Sequence, residues 1–143
     1  MRALGLDVGA RRIGVALGDL EHGIAMPHGV VERAGIAQDV LAVRKLASEL
    51  DATVVVVGRP LELDGRVGHR ARRVQAFADA LAEDAGDDLS VEAWDERFST
   101  HAAERTLLAA DVSRSRRKRT VDALAAQHIL QGWIDAQRRR QQP

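Results

Sequence analysis

The sequence has no cysteine and no tyrosine, and only two tryptophans, two phenylalanines and three prolines in 143 residues. Without cysteine there are no disulfides, no thiolate metal sites and no cysteine nucleophile. So few aromatic rings cannot make base stacking the main way of holding a nucleic acid. No apolar run approaches the ~20 residues that span a bilayer. The opening Met1-Arg2-Ala3-Leu4-Gly5-Leu6-Asp7 reaches an acid before a signal-peptide core could form. A cytoplasmic protein with no membrane partner is expected. Net charge is also absent, because 21 Lys and Arg balance 21 Asp and Glu. With 45 % hydrophobic and 29 % charged residues, the chain has the composition of a folded domain rather than a disordered one.

Hydrophobic periodicity outlines one α/β domain. Residues 3–8 and 13–17 are short apolar runs on either side of Gly9-Ala10-Arg11-Arg12, the pattern of a β-hairpin. Residues 23–31 read as a third strand, confined to an edge or a bulge by Pro27, which cannot donate to a ladder. Over residues 37–50, Val40, Val43, Ala47 and Leu50 recur at helical spacing. Thr53-Val54-Val55-Val56-Val57 is the signature of a strand buried on both faces. It stops at Gly58-Arg59-Pro60, and a polar loop follows to Gly68. Val74, Phe77, Ala78, Leu81 and Ala85 form the next helical stripe, closed by Gly86. A short strand over 90–94 precedes helices expected at 101–110 and 120–137, joined by the basic stretch Ser113 to Arg119. This order implies a mixed central sheet of about five strands flanked by helices. The expected domain covers 1–137, with a basic polar tail over 138–143.

The zero net charge is a cancellation. Residues 1–75 hold 11 basic and 9 acidic side chains, residues 76–111 hold 2 and 10, and residues 112–143 hold 8 and 2. Arg114, Arg116, Arg117, Lys118 and Arg119 form one cluster without an acid, and Arg66, Arg70, Arg72 and Arg73 form another. Such clusters are either solvated helix faces or a surface for phosphates. Nineteen of the basic residues are arginine, whose planar fork suits phosphate oxygens.

Three positions carry acids where acids need a reason. Asp7 lies inside the first apolar strand, on the face of Ala3 and Gly5. There it either accepts N–H groups from the Gly9–Arg12 turn or binds a cation. Asp95 and Glu96 end the last strand, and alternation turns only one of them toward the face of Asp7. They also suit a helix N-terminus capped by Ser99 or Thr100. Asp122 falls in the first turn expected for the final helix, where an acid complements the helix dipole. Together these carboxylates converge at one edge of an α/β sheet. No HExxH motif and no metal-spaced histidines are present among His22, His28, His69, His101 and His128, so zinc is disfavoured. An all-oxygen donor set suits Mg²⁺ or Mn²⁺, one or two ions, of the kind that assist phosphodiester hydrolysis. Phosphate-loop and nucleophile-elbow motifs are missing.

Four segments in register resemble the YqgF/RuvX family, a ribonuclease H-like branch related to the RuvC resolvases. They are Leu6-Asp7-Val8-Gly9 through Ala16, Val57-Gly58-Arg59-Pro60-Leu61 with Gly65, Asp95-Glu96-Arg97-Phe98-Ser99-Thr100, and Lys118-Arg119 through Asp122 to Gln131. Arg59, Phe98 and Ser99 depart from the family pattern. The resemblance implies a ribonuclease H-like fold and a catalytic, metal-binding set of Asp7, Glu96 and Asp122, with Asp95 as an additional acid. Its implied activity is that of a nuclease maturing the 5′ end of precursor 16S ribosomal RNA. Resolution of Holliday junctions in branched DNA is the alternative.

A nucleic-acid substrate would then be held by Arg12, Arg66, Arg97, Arg114, Arg116, Arg117, Lys118 and Arg119. Symmetric cutting of a junction requires a homodimer, for which Ile129, Trp133 and Ile134 are candidate contacts beside their role in a core. Two other classes stay open. One is an actin-like ATP-binding domain, suggested by the strand–turn–strand over Asp7 to Val15. The other is a nucleic-acid-binding protein that does not cleave.

Overall fold

The computed structural model describes residues 1–60, 68–96 and 114–141, with side chains described at all of these except 114–118. Among the described residues, five strands and three helices follow in chain order: β1 (Arg2–Val8), β2 (Arg12–Asp19), β3 (Ile24–Glu32), α1 (Ile36–Glu49), β4 (Ala52–Arg59), α2 (His69–Ala85), β5 (Ser90–Asp95) and α3 (Arg114–Gln141). The sheet order is β3-β2-β1-β4-β5. β1, β2 and β3 pair antiparallel, whereas β1–β4 and β4–β5 are parallel. The expected mixed five-stranded sheet is therefore present. β3 is an edge strand, and its register against β2 shifts between Val15 and Ala16, where His28, between Pro27 and Gly29, is skipped in the pairing. Proline at an edge beside a bulge is the arrangement its missing N–H demands.

Each sheet face has its own core. On one side Leu4, Leu6, Ile13, Val15, Val55 and Val57 pack against α1 and α2 through Val40, Val43, Val74, Phe77 and Leu81. On the other, Ala3, Ala16, Val54 and Val56 meet Ala126, Ile129, Leu130, Trp133 and Ile134 of α3. Val54 to Val57 are all buried, alternately in one core and the other, as their β-branched run predicts. The second face is lined by small residues, so α3 approaches closely: a Cβ at Gly5 would lie 2.6 Å from Leu130 Cβ.

Several sequence expectations need correction. α3 begins at Arg114, so the stretch read as a basic connection belongs to the helix itself. Arginine and lysine are good helix formers, and a charge run carries no stop signal. Asp122 consequently lies more than two turns inside α3, beyond the reach of the helix-terminus field that would explain it as a dipole partner. At the other end α3 continues through Arg138, Arg139 and Arg140, expected as tail, and the Arg138 side chain covers Gly23 in the β2–β3 turn. Ile129, Trp133 and Ile134 are 2 %, 4 % and 0 % exposed. They are core residues of this chain and are not available as subunit contacts.

Candidate active site

β1 carries Asp7 to the end of the sheet where β1 and β4 both finish. Its residue-level exposure is 4 %, on the face that α3 covers. Pairing sets its neighbours: Asp7 is opposite Gly14 of β2, and Leu6 pairs with Val57, which brings Gly58 of β4 alongside on the other flank. The two glycines have a shared consequence. A Cβ at Gly14 would run into the Asp122 backbone of α3. A Cβ at Gly58 would lie 2.7 Å from Glu96 Oε2 and within reach of Ile129. Asp7 thus sits between two gaps in the sheet surface, one filled by the turn of α3 bearing Asp122 and the other by the Glu96 carboxylate.

The adjacent acids at the end of β5 separate as strand alternation requires. Asp95 pairs with Arg59 and is exposed, while Glu96 is 9 % exposed with Oε2 buried. A backbone bond from Glu96 N–H to the Arg59 carbonyl, 3.2 Å, prolongs the β4–β5 pairing and fixes where the Glu96 side chain leaves the sheet.

Among the described residues, arginines engage Asp122 and Asp7. Arg12 Nε donates to Asp122 Oδ2 at 3.1 Å, tying the start of β2 to α3. Arg70, in the first turn of α2, brings Nη2 to 3.4 Å from Asp7 Oδ1. Among the described residues, no group of three or more His, Cys, Asp or Glu side chains is close enough to hold a metal ion as it stands. The three acids therefore share one face and one sheet end without forming a closed cage. Their chemistry still fits an oxygen-preferring divalent ion. The Gly58 gap makes room for the Glu96 carboxylate on one flank of buried Asp7, and the Gly14 gap seats the backbone of Asp122 on the other.

Of the expected nucleic-acid contacts, Arg12 lies at this site. Arg119 is exposed, 3.8 Å from Glu32 at the end of β3. Arg66 and Arg97 lie outside the described residues, as do His101 and the helix expected over 101–110. Arg114, Arg116, Arg117 and Lys118 are on the first turns of α3.

Sequence reasoning missed the support beneath the site. Arg33 donates from Nε to Asp39 Oδ2 at 2.7 Å and from Nη1 to the Gly9 carbonyl at 2.8 Å. Its backbone N–H reaches the Arg11 carbonyl at 2.9 Å, and its guanidinium stands 5.7 Å from the centre of the Phe77 ring. Asp39 is 1 % exposed and also accepts the Ala34 N–H at 2.9 Å. This buried pair fastens the Gly9–Arg12 turn to α1, and so holds the turn between Asp7 and Arg12. In sequence Asp39 looks like an ordinary first-turn acid, and only burial distinguishes it. Gln127 and Gln131 of α3 are a second missed feature. They bond the Ala25 carbonyl and N–H of the edge strand at 2.9 and 2.8 Å.

A profile of the RuvX family, described as Holliday junction resolvase, matches residues 1–136. The chain belongs to the RuvX family. Its relatives include a Myxococcus xanthus protein named "Putative pre-16S rRNA nuclease", 50 % identical over 96 % of this chain and 90 % of its own length. A Symbiobacterium thermophilum protein of the same name is 46 % identical over 98 % and 96 %. This RuvX chain also superposes on solved resolvases. Thermus thermophilus RuvC, in complex with a Holliday junction substrate, matches with TM-score 0.56 and 17 % identity over 96 % of this chain and 95 % of that one. A fowlpox virus resolvase bound to junction DNA gives 0.58 and 7 % over 95 % and 98 %. At such identities the likeness speaks to the fold, which is the ribonuclease H-like fold expected from the sequence. RuvX proteins are nucleases by family, and the site described above is this member's candidate centre.

Proposed function

We propose that the protein is a cytoplasmic, divalent-metal-dependent nuclease that acts in 5′-end maturation of precursor 16S ribosomal RNA. Asp7, Glu96 and Asp122 are the catalytic residues and ligands for one or two Mg²⁺ or Mn²⁺ ions. The observation that carries this reading is the position of Asp7 between Gly14 and Gly58, with Asp122 over the first and Glu96 beside the second. Three carboxylates at one sheet end would repel one another and a phosphate alike, so a bound cation gives the cluster its use. Such ions supply an activated water and charge stabilisation at the leaving oxygen. Hydrolysis joins a water oxygen to phosphorus and breaks the bond from phosphorus to a sugar oxygen.

The protein's own task is to hold the strand. Arg12, with Arg119 and the other arginines and the lysine at the start of α3, offsets the phosphate charge that the acids would reject. The near absence of aromatic rings makes backbone phosphates and shape the means of recognition. The RNA assignment is favoured by the relatives' names. A second reading, resolution of branched DNA, is favoured by the family description and by a fold shared with two junction-bound resolvases. It needs a homodimer formed through residues other than the buried Ile129, Trp133 and Ile134.

Cleavage of precursor 16S RNA and of a four-way DNA junction, assayed side by side with Mg²⁺ or Mn²⁺, decides between the substrates. Metal-dependent cutting of the RNA, lost in Asp7→Asn, is the expected result. Cutting of the junction alone transfers the function to the second reading, and undiminished cleavage by Asp7→Asn removes both.

A further inference from the structure

Among the described residues, three Asp–Arg pairs lie around this site, and they differ in tightness. Asp39–Arg33 is 2.7 Å long, with side chains 1 % and 13 % exposed, which is the geometry of a fixed structural pair. Asp122–Arg12 is 3.1 Å long, with 23 % and 21 % exposed. Asp7–Arg70 is the loosest at 3.4 Å, and it joins an acid that is 5 % exposed to a guanidinium that is 48 % exposed. A buried carboxylate requires a compensating partner. A long contact to a half-solvated arginine supplies part of that compensation while remaining easy to exchange.

The position of Arg70 on its helix points the same way. α2 starts with His69-Arg70-Ala71-Arg72-Arg73, has no acid in its first turn, and has no side-chain cap on Gly68. The amino end of a helix favours negative groups, so cations there weaken the helix rather than support it. Helix stability therefore does not explain an arginine at this position, and its reach toward Asp7 does.

We infer that Arg70 is a placeholder cation: its guanidinium holds Asp7 while no divalent ion is bound, and it is displaced from the carboxylate when one binds. Once displaced, it remains at the edge of the site with its fork free for a phosphate oxygen of the strand to be cut. Arg70 is then a positioning residue for both states, guarding the acid in one and orienting substrate in the other. This inference rests on the proposed nuclease reading, in which Asp7 binds metal.

The test is isothermal titration of the intact protein with Mn²⁺, without substrate, for wild type, Arg70→Gln and Arg70→Lys. Removing the competing cation in Arg70→Gln is expected to tighten Mn²⁺ binding about two- to fivefold, the range for a partly exposed ion pair. Arg70→Lys keeps the charge but loses the fork, and falls between the two. With substrate present, Arg70→Gln is expected to raise KM for the nucleic acid more than it lowers kcat. Mn²⁺ binding by Arg70→Gln that is equal to or weaker than wild type overturns the inference, as does unchanged KM. Failure of the nuclease reading has a different signature: Asp7→Asn then binds Mn²⁺ as tightly as wild type.

Discussion

Gly14 lies directly beneath Asp122, so that a Cβ on Gly14 would run into the Asp122 carbonyl oxygen. The same glycine pairs with Asp7 across β1 and β2. One missing side chain thus sets the approach of α3 to the sheet and brings two candidate ligands together. Gly14→Ala must push α3 outward, a form of overpacking that costs about 1–3 kcal/mol. Urea unfolding is expected to register that loss. Cleavage should fall more than stability does, because the displaced turn carries Asp122. A variant with wild-type stability and activity would mean that α3 is not seated on Gly14.

Gly58 offers a milder version on the opposite flank. Its missing Cβ leaves room for Glu96 Oε2, and Gly58→Ala moves that carboxylate or the Ile129 side chain. Weaker Mn²⁺ binding with a melting temperature lowered by only a few degrees is expected, since a shift of about 1 kcal/mol corresponds to a few degrees in a domain of this size. Calorimetry with and without Mn²⁺ checks both quantities.

Arg33→Ala removes the cation from a nearly fully buried aspartate and releases the Gly9 carbonyl. Breaking one side of such a pair costs about 3–5 kcal/mol. A loss well under 1 kcal/mol in chemical denaturation would contradict the structural role assigned to it. Asp39→Ala should be less damaging than Arg33→Ala to the Gly9–Arg12 turn, because Arg33 retains its bond to Gly9.

Away from the site, Asp19 has its pKa lowered below 3.8 by the hydrogen bond with His22, helped by the Glu21 backbone N–H. A depressed folded-state pKa stabilises the protein above the unfolded value, and this contribution disappears as pH falls through the lowered one. Carboxyl NMR titration of His22→Ala should show Asp19 rising toward 3.8. An unmoved titration curve would assign the shift to another group.

Much of this architecture is written locally. Val54 to Val57 announces a doubly buried strand because four successive aliphatic side chains need cover on both faces, and Pro27 announces an edge because it has no N–H to give. Asp7 and Glu96 are legible as acids at strand ends, and alternation correctly separates Glu96 from Asp95. What could not be read was set by contacts across the chain. The start of α3 was obscured because a run of arginines looks alike in a loop and in a helix. Asp39 and Asp122 both resemble helix-start acids, and only tertiary packing reveals that one is buried against Arg33 and the other sits over Gly14. Arg70 was visible as one arginine in a cluster, but its contact with an acid 63 positions earlier was not. The glycines at 14 and 58 were present in the sequence as signals, yet a glycine in a strand names a close approach without naming what approaches.

The most direct measurement is an anomalous difference map of crystals grown with Mn²⁺, recorded at the manganese edge. A peak coordinated by carboxylate oxygens of Asp7, Glu96 and Asp122, absent in Asp7→Asn crystals, is the predicted result. A fully occupied peak elsewhere, or none at the end of β1 under conditions where the protein cleaves, would contradict the account.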